Sequence, residues 1–390
     1  MPKAATQAIH GHEYYDDRLG VFKVPIYQTA IYEHPDKRSG EPRLSDRGLD
    51  LKYSREENPT VRALEKILAK LEHGLDALAF GSGMAAISAA YLSKLKAGSK
   101  ILLPKECYGA TQELAQDLEK FGVKCILARS DTDDFLERLD DDVSLALIEP
   151  ITNPMIRVAD VEEISKRCSE LEIPLIVDNT FTTPILLNPL NNGAWIVVHS
   201  LTKYLAGHND VIGGAIIVKN KEDGKNLWHW RRKLGSILSP FDAFLTIRGI
   251  STLEIRFEKQ CENALEIAEF LKDHPKVEKV YYPGLSDSPY KKTADKLFKK
   301  RLYGAVLSFK VRGGQKEALK VLRSVEIIKP TPSLGGVESL LAYPVWSAVK
   351  NMKPEQCREL EITDNLLRLA VGLEDVEDLK EDLDQALSKI

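Results

Sequence analysis

From residue 58 onward the apolar positions alternate between two rhythms. Asn58-Pro59-Thr60 precedes VRALEKILAKLEHG, where Val61, Leu64, Ile67, Leu68 and Leu71 fall at helical spacing and Gly74 closes the run. ALAF (77–80) is a short apolar stretch, followed by GSG (81–83) and a helical MAAISAAYLSKL. KILLP (100–104) predicts a buried strand, ATQELAQDLEKFG (110–122) a helix stopped by Gly122, and VKCILA (123–128) the next strand. VSLALIEP (143–150), IPLIVDN (173–179), AWIVVHS (194–200) and GGAIIVK (213–219) read as further strands, with VEEISKRCSELE as a helix among them. Strands that are continuous apolar runs, alternating with helices, predict a mostly parallel sheet covered on both faces.

Near residue 250 the pattern changes. Residues 251–274 form one long amphipathic run, followed by VEKVYYP (277–283), GAVLSFKV (304–311), a helical QKEALKVLRSV and a helical C-terminus. LLRLAVG (366–372) fits either helix or strand. Residues 1–55 show no sustained period and are rich in His, Tyr, Pro, Arg and Gly. The expected fold class is α/β, in three parts: an arm at 1–55 that lies against a neighbouring subunit, a large domain at 56–252, and a smaller C-terminal α/β domain at 253–390.

Composition narrows the function. The 390 residues are 43% hydrophobic and 29% charged, so a large core needs no disulfides. Lys plus Arg number 54 and Asp plus Glu 58, a net charge of −4, which argues against a nucleic-acid or membrane-surface partner. No run approaches the ~18 apolar residues of a membrane span, and the N-terminus lacks the apolar stretch of a signal peptide. Cys107, Cys125, Cys168, Cys261 and Cys357 are odd in number and scattered, which fits reduced thiols in a cytoplasm and gives no zinc spacing. His10-Gly11-His12-Glu13 reads as a solvated polar stretch, so no metal site is expected. GSGMAA (81–86) has Ala86 where a dinucleotide fingerprint needs its third Gly, which argues against an NAD-dependent oxidoreductase.

The chemistry gathers at strand ends. In VVHSLTKYLAGHNDVIGG (197–214) a strand ends at His199-Ser200, and Thr202 and Lys203 follow at once. Asp178 closes the otherwise apolar IPLIVD, and a carboxylate buried there needs a partner. Ligands of such sheets sit at the carboxyl ends of the strands, so Asp178, Ser200 and Lys203 are expected in one crevice. A ligand with a ring nitrogen for Asp178, an aldehyde for Lys203 and a phosphate for Ser200 and Thr202 is pyridoxal 5′-phosphate (PLP). GSGM adds free N–H groups at a helix N-terminus for that phosphate.

With these residues in place, the chain resembles the Cys/Met-metabolism family of PLP enzymes. VPIYQTA (24–30), KYSREENPT (52–60), FGSGMAAI (80–87), CYGAT (107–111), EPITNP (149–154), VDNTFTTP (177–184), HSLTKYLAGHNDVIGG (199–214), PSLGGVESL (332–340) and LLRLAVGLED (366–375) run in family order over essentially the whole chain. The resemblance implies the aspartate-aminotransferase-like architecture known as fold type I. It implies that Lys203 joins the cofactor aldehyde and then shuttles protons, and that Asp178 pairs with the pyridine nitrogen. It assigns the phosphate to Ser82, the N–H groups of Gly83 and Met84, Ser200 and Thr202. Tyr108 stacks on the ring and takes a proton from the incoming amino group, and Asn153 bonds the ring O3′. Arg368 clamps the substrate α-carboxylate, helped by the main chain near Ser333. Tyr53 and Arg55 reach the phosphate of a neighbouring subunit, in a homotetramer built as a dimer of active-site-sharing dimers.

Two positions depart from the family pattern. Pro332 stands where Glu commonly precedes Ser-Leu-Gly, and Tyr343 replaces the His of a His-Pro pair in YPVWSAVKNM (343–352). Both are expected to border the far end of the substrate, with Asp46, Glu56 and Glu57 of the arm as candidate replacement acids. The implied reaction is γ-replacement or γ-elimination on a four-carbon amino acid. Formation of cystathionine from an activated homoserine and cysteine comes first, and cleavage of cystathionine or methionine second.

Overall fold

A computed structural model describes residues 2–17, 19–33, 44–49, 51–129, 131–350 and 352–390. The apolar runs between 76 and 218 assemble one sheet. Its strands are β1 (Asp76–Phe80), β2 (Lys100–Pro104), β3 (Lys124–Ala128), β4 (Leu145–Ile148), β5 (Leu175–Asp178), β6 (Ile196–Ser200) and β7 (Gly214–Val218). The seven strands lie in the order β1-β7-β6-β5-β4-β2-β3. β3, β2, β4, β5 and β6 pair in parallel, while β7 runs antiparallel to both its neighbours. Side chains alternate between two cores: Ile176, Ile196 and Val198 pack with Ala86, Ala90 and Tyr91, while Val177 and Val197 pack with Leu64 and Ile67.

Local signals set the helices. Asn58 caps the helix Pro59–Leu71 by accepting the Thr60 N–H at 3.0 Å, with Pro at the first helical position. Asp160 caps Val161–Glu170 in the same way. The helix expected over 110–122 ends at Asp117 and tightens into a 3₁₀ turn over Leu118–Phe121, before Gly122 takes φ +81°. Two helices lie where no periodicity was read, Lys221–Leu234 and Pro240–Ile250.

The second sheet has four strands: β8 (Val277–Tyr281), β9 (Val306–Val311), β10 (Leu340–Ala342) and β11 (Leu366–Ala370), in the order β10-β11-β9-β8. All its pairings are antiparallel. LLRLAVG is thereby a strand, because it finds a partner on each side, Ala342 and Ser308 both facing Arg368. The long helix Leu253–Asp273 packs on β8 and β9.

The two sheets are joined by polar contacts as well as by a continuous apolar core. Arg157, anchored on the large-sheet side by the buried Glu106 carboxylate 2.9 Å from its Nε, donates from Nη2 across the join to the Leu360 carbonyl at 2.8 Å and meets the Tyr290 hydroxyl at 3.3 Å. Ser308 on β9 donates to the Pro154 carbonyl at 2.6 Å. The arm is held by charge: Arg47 lies among Glu57 (3.0 Å), Glu65 (2.9 Å) and Asp76 (2.7 Å). Among the described residues no helix is long and apolar enough to cross a membrane.

Candidate active site

Because every strand of the large sheet except β7 runs one way, their carboxyl ends share one edge. Beside that edge lies a cavity of about 990 Å³. Asp178 ends β5 and Ser200 ends β6, and both line it, with Thr202 and Lys203 in the loop that follows. Ser82, Gly83 and Met84 line it from the start of the helix Gly83–Lys94. Ser82 caps that helix by accepting the Ala85 N–H at 3.0 Å. The first amides, those of Gly83 and Met84, have no intrahelical acceptor. A Cβ on Gly83 would come within 3.3 Å of Ser200 Cβ, so a side chain there would crowd the cradle. Thr202 Oγ1 accepts the Gly213 N–H at 3.1 Å, which ties the Lys203 loop to the turn before β7.

Asp178 accepts the Thr180 N–H at 3.1 Å and the Thr180 hydroxyl at 2.5 Å. Burial pushes its carboxyl above the ordinary aspartate range, while Thr180 and His199 pull it back. The structure adds a second buried carboxylate at this edge. Glu149 directly follows β4, lines the cavity, and accepts the Tyr108 N–H at 2.7 Å. Sequence reasoning passed over it. The signal was the one used for Asp178, an acid closing an apolar strand, in SLALIEP.

Lys203 Nζ donates to the Ser333 hydroxyl at 2.9 Å. Burial lowers its pKa, and the nearby Arg368 charge lowers it further, which favours the neutral amine. Ser333 has φ +147°, a strained value for a residue with a side chain, and strain of this kind collects at functional sites. The next turn lies flat on the lysine loop: Gly335 has φ +87°, and a Cβ there would meet the Tyr204 amide at 2.5 Å.

Arg368 projects from the middle of β11. Nη1 donates to Asn153 Oδ1 at 2.7 Å and Nη2 to the Ser333 carbonyl at 2.8 Å, while Nε has no partner. The residue is 6% exposed, and burial lowers its pKa to about 10. A buried guanidinium held only by neutral acceptors, with a donor to spare and a cavity in front of it, is built for an incoming carboxylate.

Tyr108 lines the cavity with half its surface exposed. Tyr53 and Arg55 are outside the cavity: Arg55 donates to the Arg232 carbonyl at 2.9 Å and its guanidinium lies 5.4 Å from the Tyr53 ring. Pro332 borders the cavity as expected. Tyr343 does not. Its hydroxyl donates to the Asp364 carbonyl at 2.8 Å and its ring packs edge-on against Trp346, so it is spent on the C-terminal core. The arm acids are committed too, Asp46 to Arg62 and Lys66, Glu56 to Arg232, and Glu57 to Arg47. The cavity is also lined by Lys350, Lys353, Gln112 and Glu113, none of which the sequence singled out.

The donor set fits a phosphorylated pyridine aldehyde. It offers a helix N-terminus with an open glycine cradle, a carboxylate set apart on a neighbouring strand end, and a buried amine of lowered basicity. Residues 5–388 match the family described as Cys/Met metabolism PLP-dependent enzyme. An L-methionine gamma-lyase of Fusobacterium nucleatum subsp. polymorphum is 38% identical over 99% of this chain and 98% of its own length. A cystathionine gamma-lyase of Bacillus subtilis (strain 168) is 37% identical over 100% of both chains. The crystal structure of cystathionine gamma synthase from Xanthomonas oryzae pv. oryzae in complex with cystathionine superposes with a TM-score of 0.93 at 35% identity, covering 100% of this chain and 98% of that one.

Proposed function

We propose, from the premise that the chain belongs to the Cys/Met-metabolism family of PLP-dependent enzymes, that it works by γ-replacement and γ-elimination on a four-carbon amino acid. Membership makes it a PLP-dependent enzyme of sulfur amino-acid metabolism. The principal reaction in this reading joins an activated homoserine to cysteine, giving cystathionine. The observation that carries it is the buried Arg368 facing Lys203 across Ser333. In this reading that pair holds an α-carboxylate on one side of the reacting carbon and an amine of lowered basicity on the other. Pro332 is exposed and uncharged, so cysteine and cystathionine, which carry the same distal ammonium, both lack an anion at that position.

Bound in the cavity, PLP supplies the electron sink that makes Cα and Cβ acidic. In this reading Asp178 keeps the ring nitrogen protonated. The Gly83 and Met84 amides, with Ser82, Ser200 and Thr202, hold the phosphate, and Asn153 meets the ring hydroxyl oxygen. Lys203 supplies the amine for the cofactor aldehyde, then moves a proton from Cα and between the carbons beyond it. Burial and the Arg368 charge lower its pKa, which eases loss of the proton it carries. Tyr108 covers the ring and accepts a proton from the incoming ammonium. Ser333, held by Lys203 and Arg368 together, keeps the base and the clamp in register.

The neighbouring subunit enters because Tyr53 and Arg55 lie outside their own chain's cavity, on an arm that also exposes Tyr15, Leu19, Phe22 and Ile31. The reading is a homotetramer of active-site-sharing dimers in the cytoplasm. Mixing Arg55→Ala and Lys203→Ala protomers under exchanging conditions restores activity if Arg55 serves its partner's site. No recovery despite proven exchange assigns Arg55 to its own chain. A product assay decides the reaction itself. Purified enzyme is given O-acetyl-, O-succinyl- or O-phosphohomoserine with cysteine, and separately cystathionine or methionine. Cystathionine formation from an activated homoserine is expected to outrun release of 2-oxobutanoate from either other substrate, and the reverse order assigns a lyase.

A further inference from the structure

One buried carboxylate of the cavity has no part in the steps above. Glu149 follows β4, which pairs in parallel with β5 so that Ile148 faces Val177. The next pair in that register is Glu149 and Asp178. Alternation puts both on the same face, and both line the cavity. Glu149 is 6% exposed. With their Cα positions one strand spacing (about 4.8 Å) apart and both side chains on one face, two carboxylates in such a site cannot both ionise without heavy cost.

Their donors decide which of the two keeps the charge. Asp178 accepts two hydrogen bonds from Thr180 and feels His199. Glu149 accepts one, from the Tyr108 amide, and Glu106 adds a second like charge beside it. The remaining titratable neighbours, Cys107 and Tyr91, are held neutral by burial and bring no positive charge. We propose that Glu149 is a positioning residue: a neutral acid that leaves the single negative charge of the pair on Asp178 and hangs the Tyr108 backbone, and with it the ring, over the cavity. Burial, and then the Asp178 charge, push the Glu149 carboxyl well above the ordinary range, in the same direction.

The inference rests on the roles read above for Asp178 and Tyr108, and it assigns the charge that faces the pyridine nitrogen. With Glu149 protonated, that nitrogen meets one anion, on Asp178, rather than two. Removing the Glu149 side chain withdraws the acceptor of the Tyr108 N–H, and a shift of about 1 Å in a positioned group costs up to roughly 10²-fold in rate.

The test uses the cofactor-loaded enzyme and two readouts. At neutral pH its infrared spectrum is expected to carry a protonated-carboxyl band that Glu149→Gln removes. In kinetics, Glu149→Ala is expected to lower kcat roughly 10- to 100-fold, and Glu149→Gln to regain at least about tenfold of it, because the amide is neutral and still accepts the Tyr108 N–H. A wild-type spectrum without the band overturns the proposal. So does a band that survives Glu149→Gln, which places the proton on Asp178 or Glu106, or a Gln variant as slow as the Ala variant. Should Glu149→Ala fail to fold, the isosteric Gln variant and the spectrum still decide. The band does not depend on which substrate is turned over, so a lyase result in the product assay leaves this inference standing.

Discussion

The large sheet and the small sheet feed the same cavity in opposite ways. The large one works from its strand ends. Asp178, Ser200 and Glu149 are terminal or just beyond, and Lys203 rides the following loop. There the backbone is released from the ladder and a helix N-terminus opens nearby, so the edge carries unbonded amides suited to a phosphate. The small sheet works from a strand interior. Arg368 is the middle residue of β11, with β10 on one side and β9 on the other. A ladder on both flanks fixes its Cα, and Asn153 and Ser333 fix its head. One sheet therefore offers a field and a reactive amine, the other a rigid clamp. Rate is expected to reside on the parallel side and affinity on the antiparallel side.

The harshest trial of that division is Lys203→Ala. It removes amine and proton carrier together, and turnover is expected to fall on the order of 10³–10⁴-fold or more, while cofactor still binds without a covalent bond. Near-full activity would end the assignment. Asp178→Asn is expected to cost roughly 10²–10³-fold in kcat with little change in melting temperature, since it withdraws charge rather than bulk. Should kcat hold, Asp178 is only a strand terminator. Arg368→Lys tests the other sheet. A point charge replaces a fork, so KM for the amino acid is expected to rise roughly 10- to 100-fold, with kcat moved far less. A loss confined to kcat would erase the contrast between the sheets. The mildest change is Pro332→Glu, which puts an anion at the mouth of the small-domain side. KM for cystathionine is expected to fall a few-fold, in the range of about 0.2–1 kcal/mol for an exposed pair, while KM for methionine stays put. Equal shifts for both substrates would show that Pro332 shapes the pocket without bearing on distal charge.

The parallel half was the more legible in sequence, for a physical reason. A strand buried on both faces must be apolar throughout, and KILLP matches β2 residue for residue. The helix Lys221–Leu234 escaped because KEDGKNLWHWRRKL is mostly charged. Its burial rests on Leu227 and Trp228, and on Arg231, which is spent on Glu65. β11 stayed ambiguous because five residues cannot separate a period of 2 from one of 3.6, and the partners that settle it come from distant sequence. Within the site, residues named by chemistry gathered as expected around Lys203 and Asp178. Tyr343 was read from position in a motif, and motif position does not report which way a side chain turns. Glu106 and Arg157 left no local mark, because an ion pair between residues 51 positions apart is invisible in a linear pattern.

Arg157 bears on how the cavity fills and empties, through its contacts to the other sheet. A gaping motion between the two sheets would pull Arg157 from the Leu360 carbonyl and from Tyr290, while leaving it on Glu106, which sits on the same side of the join. Hydrogen bonds to a charged group are worth about 1.5–3 kcal/mol each, so losing these two makes such an open form a minor one. Where the sheets stay together, product is expected to leave by side-chain movement of the exposed Lys350 and Lys353, which line the cavity.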